Sequence, residues 1–508
     1  MYFFVHLLFM KFIYKYILLI VVLIVFQGSK VSAQFYTGSN QEFGKNRVQD
    51  VSFYWQYVDF EKFRVFYYGY GKKHAEYVAR SAHQSFQELE KKYQVDINDK
   101  IDILVYNRYS DFKQSNVGLT NEISSNVGGK NKLIGNKMFV YFEKDHSNFD
   151  SQIKSSISEL LITKMLYGGN WRKVVRSSAT LQLPNWFVEG LHAYNGLGWN
   201  PEIDNYTKDG ILSGKTNKLS RLNGEEAINA GHSLWNYIGQ VYGEEVIPQI
   251  VYLVSVSRSF ESSFRFVLGK TTKELSVDWI NYYKKKYNKI DSDKKMPSQG
   301  LIKIKSRKKK GKITKLKINP KANKIAYVTN EIGKYKIWIY DLDTKKYTCV
   351  TKSGFKVNRK TDHSYPLIAW HPEGEKLSFM EEKEGAVRFS VYSLKDKKKS
   401  KIDISKISKV QDYHYNNIGN QIVMSALLDG QMDLFLYNIV GNSYKQLTND
   451  IYDDITPRFI DNASKVIFSS IFFSTGLSQS EAIDFSLAES LAEKEFSPKQ
   501  PHNPTKKS

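Results

Sequence analysis

From about residue 313 onward the chain repeats itself, and no other feature restricts its fold as tightly. Asn319-Pro320-x-x-Asn323-Lys324-Ile325-Ala326-Tyr327-Val328 is answered by His371-Pro372-x-Gly374-x-Lys376-Leu377-Ser378-Phe379. Asn416-x-x-Gly419-Asn420-Gln421-Ile422-Val423-Met424 and Asp461-Asn462-Ala463-Ser464-Lys465-Val466-Ile467-Phe468 follow. Each is a turn feeding a strand. The first three lead on to a second strand: Lys336-Ile337-Trp338-Ile339-Tyr340, Phe389-Ser390-Val391-Tyr392 and Asp433-Leu434-Phe435-Leu436-Tyr437. Gly333 and Gly430 mark hairpins before two of these. A period of about 45–50 residues is that of a four-stranded propeller blade. Residues 313–470 therefore predict an all-β partial propeller of about three and a half blades. Residues 471–508 lose the pattern, become rich in Ser, Glu, Lys and Pro, and read as a disordered tail. Two readings of the partial ring stand: a shortened array, which is preferred, and a ring completed by another copy or a partner.

The first half carries a different signal. Strands are expected from about Val51, at Phe63–Tyr67, at Lys100–Tyr106 and at Met138–Phe142, with a helix over about His74–Tyr93 and a helical turn at Asp111–Ser115. Ser158-Glu159-Leu160-Leu161-Ile162 and Leu183-Pro184-Asn185-Trp186-Phe187-Val188-Glu189-Gly190-Leu191-His192-Ala193-Tyr194 then read as two helices. Further helices are expected from Gly231, the last N-capped by Thr271 or Thr272 and running through Trp279 and Tyr283. Catalytic zinc needs three protein ligands and an open water position. A helical H-E-x-x-H supplies two of them at i and i+4, with a general base between. Here Glu159 stands where the base would, and Glu189 where an acidic ligand from a second helix would. The imidazole positions hold Ser158 and Ile162, and neither a hydroxyl nor a sec-butyl group replaces an imidazole on zinc.

Trp186-x-x-Glu189-Gly190-x-x-Ala193-Tyr194, at this distance from Glu159, resembles the gluzincin-type, peptidase MA-like domain of bacterial exported proteins. Gly269-x-x-x-x-Glu274-Leu275-x-x-x-Trp279 resembles the C-terminal helical subdomain of the same family, so that the likeness spans roughly residues 48–288. The repeats resemble TolB-type blades, to which such domains are fused. Together these resemblances imply a multidomain chain. A degenerate α+β zincin-like domain at 34–288 is followed by a basic linker at 289–312 and by the TolB-like repeats at 313–470. They imply no catalytic residue, no metal and no cofactor, with Ser158, Glu159, Ile162 and Glu189 as vestigial positions.

Residues 1–33 read as an export signal. Lys11 and Lys15 precede the apolar run Tyr16–Phe26, and Val31-Ser32-Ala33 forms a small-x-small cleavage site before Gln34. The run is short for a membrane span, so cleavage after Ala33 and a periplasmic location in a Gram-negative bacterium are expected; an uncleaved anchor is the competing reading, and Met10 an alternative start. The single Cys349 excludes an intramolecular disulfide framework. The net charge of +22, mostly lysine spread along the chain, favours anionic surroundings such as a membrane face, an acidic glycan or an acidic protein. No recognition-helix or stacking motif accompanies it, so nucleic acid is not expected. The function expected is a non-catalytic envelope scaffold that binds protein, peptide or glycan. The alternative is a zinc metallopeptidase with atypical ligands, Glu189 and His192 one helical turn apart joined by His146 or His232. Without a cation, Glu159 and Glu189 would pair with bases such as Lys164 or Arg172, or one would be neutral.

Overall fold

The computed structural model describes residues 49, 52–115, 136–143, 145–168, 181, 183–291, 312–355, 363–383, 386–404, 407–450 and 452–471. The expected export signal, the residues of the basic linker between 292 and 311, and the tail from 472 lie outside the described residues.

A four-stranded sheet opens the described chain: β1 (Trp55–Asp59), β2 (Phe63–Tyr68), β3 (Ile101–Tyr106) and β4 (Lys137–Tyr141), in that order. The first strand begins at Trp55, not near Val51. β1 and β2 are antiparallel, whereas β2–β3 and β3–β4 are parallel. Parallel neighbours need a crossover, and α1 (Lys72–Tyr93) provides it between β2 and β3. Its Ala75, Val78, Ala79, Ala82, Phe86 and Leu89 are buried at the 3.6-residue period of a helix packed on a sheet. An aromatic cluster of Tyr68, Tyr106, Tyr109, Phe112, Phe139 and Tyr141 forms separately, partly from the short α2 (Tyr109–Phe112).

The edge strand β4 leads into α3 (His146–Tyr167), N-capped by Asp145, which accepts from the Asn148 amide at 2.7 Å. The rest of this half is helical: α4 (Asn185–Leu197), α5 (Pro201–Leu212), α6 (Gly224–Tyr242), α7 (Val246–Ser257), α8 (Phe260–Leu268) and α9 (Thr272–Asp291). The sequence pattern placed a helix from Gly231, but α6 begins at Gly224. It also passed over α5, although Asn200 as N-cap and Pro201 at the first helical position signal it. α9 opens on a capping box: Thr271 Oγ1 accepts from the Glu274 amide at 3.2 Å, and the Glu274 carboxylate accepts from the Thr271 amide at 2.8 Å.

The second half is built of antiparallel sheets. Blade one holds β5 (Lys312–Ile318), β6 (Lys324–Glu331), β7 (Lys334–Asp341) and β8 (Tyr347–Ser353). Blade two holds β9 (Leu367–Trp370), β10 (Lys376–Lys383), β11 (Ala386–Ser393) and β12 (Lys399–Ile404). Blade three holds β13 (Lys409–Tyr415), β14 (Gln421–Leu428), β15 (Gln431–Asn438) and β16 (Ser443–Gln446). A hairpin of β17 (Asp453–Ile460) and β18 (Lys465–Ile471) follows and packs on blade three. One apolar core lies between blades one and two and another between blades two and three, the stacking of a propeller-type array. Among the described residues no helix is long and apolar enough to cross a membrane.

The two halves meet at blade three. Leu427 and Met432, on either side of its β14–β15 hairpin, belong to the core of the first half. The hairpin glycine Gly430 has φ +81°, and a Cβ there would lie 3.2 Å from Lys73 Cβ and 3.3 Å from the His74 amide nitrogen. Around it, Arg108 Nη1 donates to the Ser408 carbonyl at 3.1 Å, and the buried Lys409 donates to the Glu143 carbonyl. Asp453, fully buried, accepts from the His146 amide at 2.6 Å and lies 2.8 Å from its Nδ1, closing the N-terminus of α3. With apolar burial and buried polar pairs at one interface, the two halves are expected to unfold as one unit. Met432→Ala should lower stability by about 2–5 kcal/mol and split the single calorimetric transition into two; an unsplit transition at unchanged midpoint would show that the contact contributes nothing.

Candidate functional site

α4 sits between α3 and α6, and small residues bring it close to both. Towards α6, a Cβ on Gly190 would lie 2.6 Å from the Gly231 backbone, and one on Gly231 would strike the Trp186 carbonyl at 1.8 Å. The glycine of Trp186-x-x-Glu189-Gly190 is therefore required by a helix crossing. Towards α3, a Cβ on Gly196 would lie 1.8 Å from Ser155 Oγ and 2.8 Å from the Ser151 carbonyl. At about 100° per residue, Gly190 and Tyr194 fall on one side of α4. Glu189, His192, Asn195 and Gly196 fall on the other, facing α3.

Ser158 and Ile162, where a zinc helix carries its imidazoles, both point inward and are fully buried. Ser158 Oγ accepts from Asn195 Nδ2 at 2.8 Å and lies 3.4 Å from His192 Nδ1. Asn195 Nδ2 also donates to Tyr93 OH at 2.8 Å, while its Oδ1 accepts from Lys92 at 3.3 Å. Lys92 continues to Glu244 at 2.9 Å, and Tyr194 donates to the same carboxylate. Burial works against the Glu244 charge, but the Tyr194 and Lys92 hydrogen bonds outweigh it and hold its carboxyl below the usual range. The result is a polar seam joining α1, α3, α4 and the turn after α6. Glu159 is half-buried beside this seam on α3, and Glu189 half-buried on the α3 side of α4. Lys164 donates to the Asp96 carbonyl, and Arg172 lies outside the described residues.

Among the described residues, the side chains weighed as zinc ligands do not gather around one point. Of His146, His192 and His232, only His192 is on the Glu189 side of α4. His146 is at the start of α3, twelve residues or about 18 Å along the axis from Ser158, and is engaged by Asp453. His232, on α6, packs against the rings of Tyr194 and Trp199 on the opposite side of α4. Burial pushes its pKa down from 6.5 to about 4, so it is a neutral core histidine. Among the described residues, one group of three metal-ligating side chains brings its ligand atoms close enough to share an ion: Asp433 in blade three, Asp450 in the segment leading to β17, and Asp454 in β17 itself. Sequence reasoning missed it. The available signal was register: the third residue of the third strand is Lys336 in blade one and Arg388 in blade two, but Asp433 in blade three. A cavity of about 250 Å³ also opens beside α5 and α6, lined by residues that include Tyr206, Asp209, Lys215, Glu225 and Trp279.

No family model matches the chain, and no curated protein matches it by sequence. Among solved structures, it is similar to TolB from Acinetobacter baumannii at 19% identity and a TM-score of 0.27, covering 31% of this chain and 37% of that one. It is similar to a putative TolB from Agrobacterium tumefaciens at 18% identity and a TM-score of 0.26, covering 30% and 52%. A tricorn protease gives 17% identity and a TM-score of 0.23, covering 31% and 15%. The chain thus spans about a third to a half of the length of the TolB structures it matches. These are partial, remote likenesses, and the blade architecture rests on the strand order itself.

Two measurements check this site. Ser158→Ala leaves a buried amide and an imidazole short of a partner, and should lower the stability read from urea unfolding by about 1–3 kcal/mol; a neutral effect would mean that the seam is not closed. His232 has a pH signature. Its folded pKa lies below its unfolded value, so the unfolded chain takes up the proton first. Its contribution is complete above pH 6.5 and declines as pH falls towards about 4. His232→Phe should flatten the dependence of the urea midpoint on pH in that window, and an unchanged slope would reject the assignment.

Proposed function

We propose that this chain is a non-catalytic binding protein of the cell envelope, in which a pseudo-metallopeptidase domain and TolB-like propeller repeats present surfaces to protein, peptide or glycan. The observation that carries this reading is the fate of Ser158 and Ile162. Both occupy core positions, and the Ser158 hydroxyl is committed to the helix seam. Water unassisted by a metal keeps a pKa of about 15.7, where zinc would bring it to about 7, and Glu159 by itself does not close that gap. The alternative of a zinc peptidase with atypical ligands lacks its further imidazole, since neither His146 nor His232 reaches the side of α4 that carries Glu189.

The envelope location rests on the leader pattern of residues 1–33, with the mature chain starting at Gln34. The excess of lysine favours anionic partners and peripheral contact with an anionic membrane face. Purified mature protein is expected to hold no stoichiometric zinc, to cleave no peptide library, and to retain an envelope protein or glycan from extract equally well as wild type and as Glu159→Gln. Chelator-sensitive proteolysis by the wild type that disappears in Glu159→Gln would overturn the proposal.

A further inference from the structure

Where blade three hands over to β17, four carboxylates converge on a chain that is otherwise strongly basic. Asp453 is occupied by His146. The other three each offer an oxygen within 4.8 Å of the others. Asp454 is 1% exposed, and among the described residues neither of its oxygens has a hydrogen-bond donor. Asp433, also 1% exposed, is partly satisfied by Gln446 Nε2 at 2.9 Å and by Thr448 Oγ1 at 3.5 Å. Asp450 is exposed and opens the cluster to solvent, while one of its oxygens accepts from the Tyr452 amide at 2.9 Å. A buried carboxylate with no donor is strongly unfavourable unless it meets a cation or takes a proton. Asp454 is such a group, and with the buried Asp433 and the exposed Asp450 beside it the demand for positive charge exceeds that of a surface acidic patch.

We propose that Asp433, Asp450 and Asp454 bind a calcium ion. The donor set is all oxygen, with neither imidazole nor thiolate, which selects a hard cation over zinc or copper. Calcium takes about six to eight oxygens at about 2.3–2.6 Å in adaptable geometry, whereas magnesium demands near-octahedral ligands at about 2.0–2.1 Å. Three carboxylates of unequal burial, with water entering beside Asp450, match the first requirement better than the second. The ion ties β17 and the segment before it to the third strand of blade three. Through the adjacent Asp453 it also steadies the closure of α3 by His146, so that calcium reinforces the joint between the two halves. This inference does not depend on whether the first half is catalytic.

The test uses the full mature chain, stripped with chelator and titrated with calcium chloride in a calorimeter near neutral pH. One calcium per chain is expected, with a Kd in the range of about 10⁻⁵–10⁻³ M, and magnesium binding at least about tenfold more weakly. Asp454→Asn and Asp433→Asn should each weaken calcium at least about thirtyfold. Without calcium their melting midpoints should equal or exceed that of the wild type, because a buried charge has been removed; with about 5 mM calcium only the wild type should gain several degrees. Asp450→Asn, altered at an exposed position, keeps the test open if the buried variants do not fold, and should weaken binding about tenfold. The proposal is overturned if the wild type takes up no calcium at about 5 mM, which would assign the cluster a proton instead. It is overturned equally if Asp454→Asn and Asp450→Asn bind as the wild type does.

Discussion

Everything in the first half is referred to the position of α4, and that position is set by backbone contact. A helix whose neighbours approach through Gly190 against Gly231 on one side and Gly196 against Ser155 on the other has little freedom to slide or roll. Larger side chains at any of these points would push the helices apart and open voids that a close-packed interior does not tolerate. With the axis fixed, the directions of Glu189, His192 and Asn195 towards α3 follow, as do those of Gly190 and Tyr194 towards α6. Aromatic side chains then fill what the small residues leave. Trp186 packs on Phe260 and Phe264, and the Trp235 indole donates to the Phe187 carbonyl at 2.9 Å.

The seam between α3 and α4 shows how hydrogen bonds join the helices that carry Glu159 and Glu189. A zinc ion would neutralise buried ligands and bind two helices through a few strong bonds. Here the same union is made by Ser158, Asn195, Tyr93, Lys92, Tyr194 and Glu244, a chain of hydrogen bonds ending in an ion pair. Such a network stabilises only when its members are satisfied together. That requirement explains why Asn195 is shared between Ser158 and Tyr93. It also explains why Ile162 is an apolar core residue: one turn beyond Ser158 the seam gives way to the hydrophobic cluster of α3.

The sequence pattern was most informative where physics is local. The period-two strands and their turns recur at fixed spacing, so each blade could be read from its own residues, as could the Thr271–Glu274 cap of α9. The meaning of Gly190 was not legible, because its reason lies in Gly231 on another helix. His146 looked like a free ligand because its partner, Asp453, is 307 residues away. The acidic cluster escaped notice for a related reason. Asp450 lies in a turn, where aspartate is ordinary, Asp454 four residues on is in β17, and only pairing with Asp433 across the blade gives them a common centre. Helix α5 is a different kind of miss, since Asn200 and Pro201 announced it and its mixed composition hid the stripe.

The joint between the halves explains why the third blade differs from the first two. Blade one packs on blade two and blade two on blade three, and at those two contacts apolar strands suffice. Blade three has a neighbour on either side and a helical half at its hairpin end. That end must present Leu427 and Met432 to a hydrophobic core, Lys409 to a carbonyl, and a glycine where the backbone of α1 approaches within van der Waals contact. The chain leaving it must also supply Asp453 to the positive end of α3, where a carboxylate is favoured by the helix dipole and by the unpaired first-turn amides. One acid is accounted for by that helix end. The acids on either side of it, Asp450 and Asp454, with Asp433 across the blade, have no such helix to meet. The concentration of negative charge at this corner is therefore only partly explained by docking, and the remainder calls for a cation.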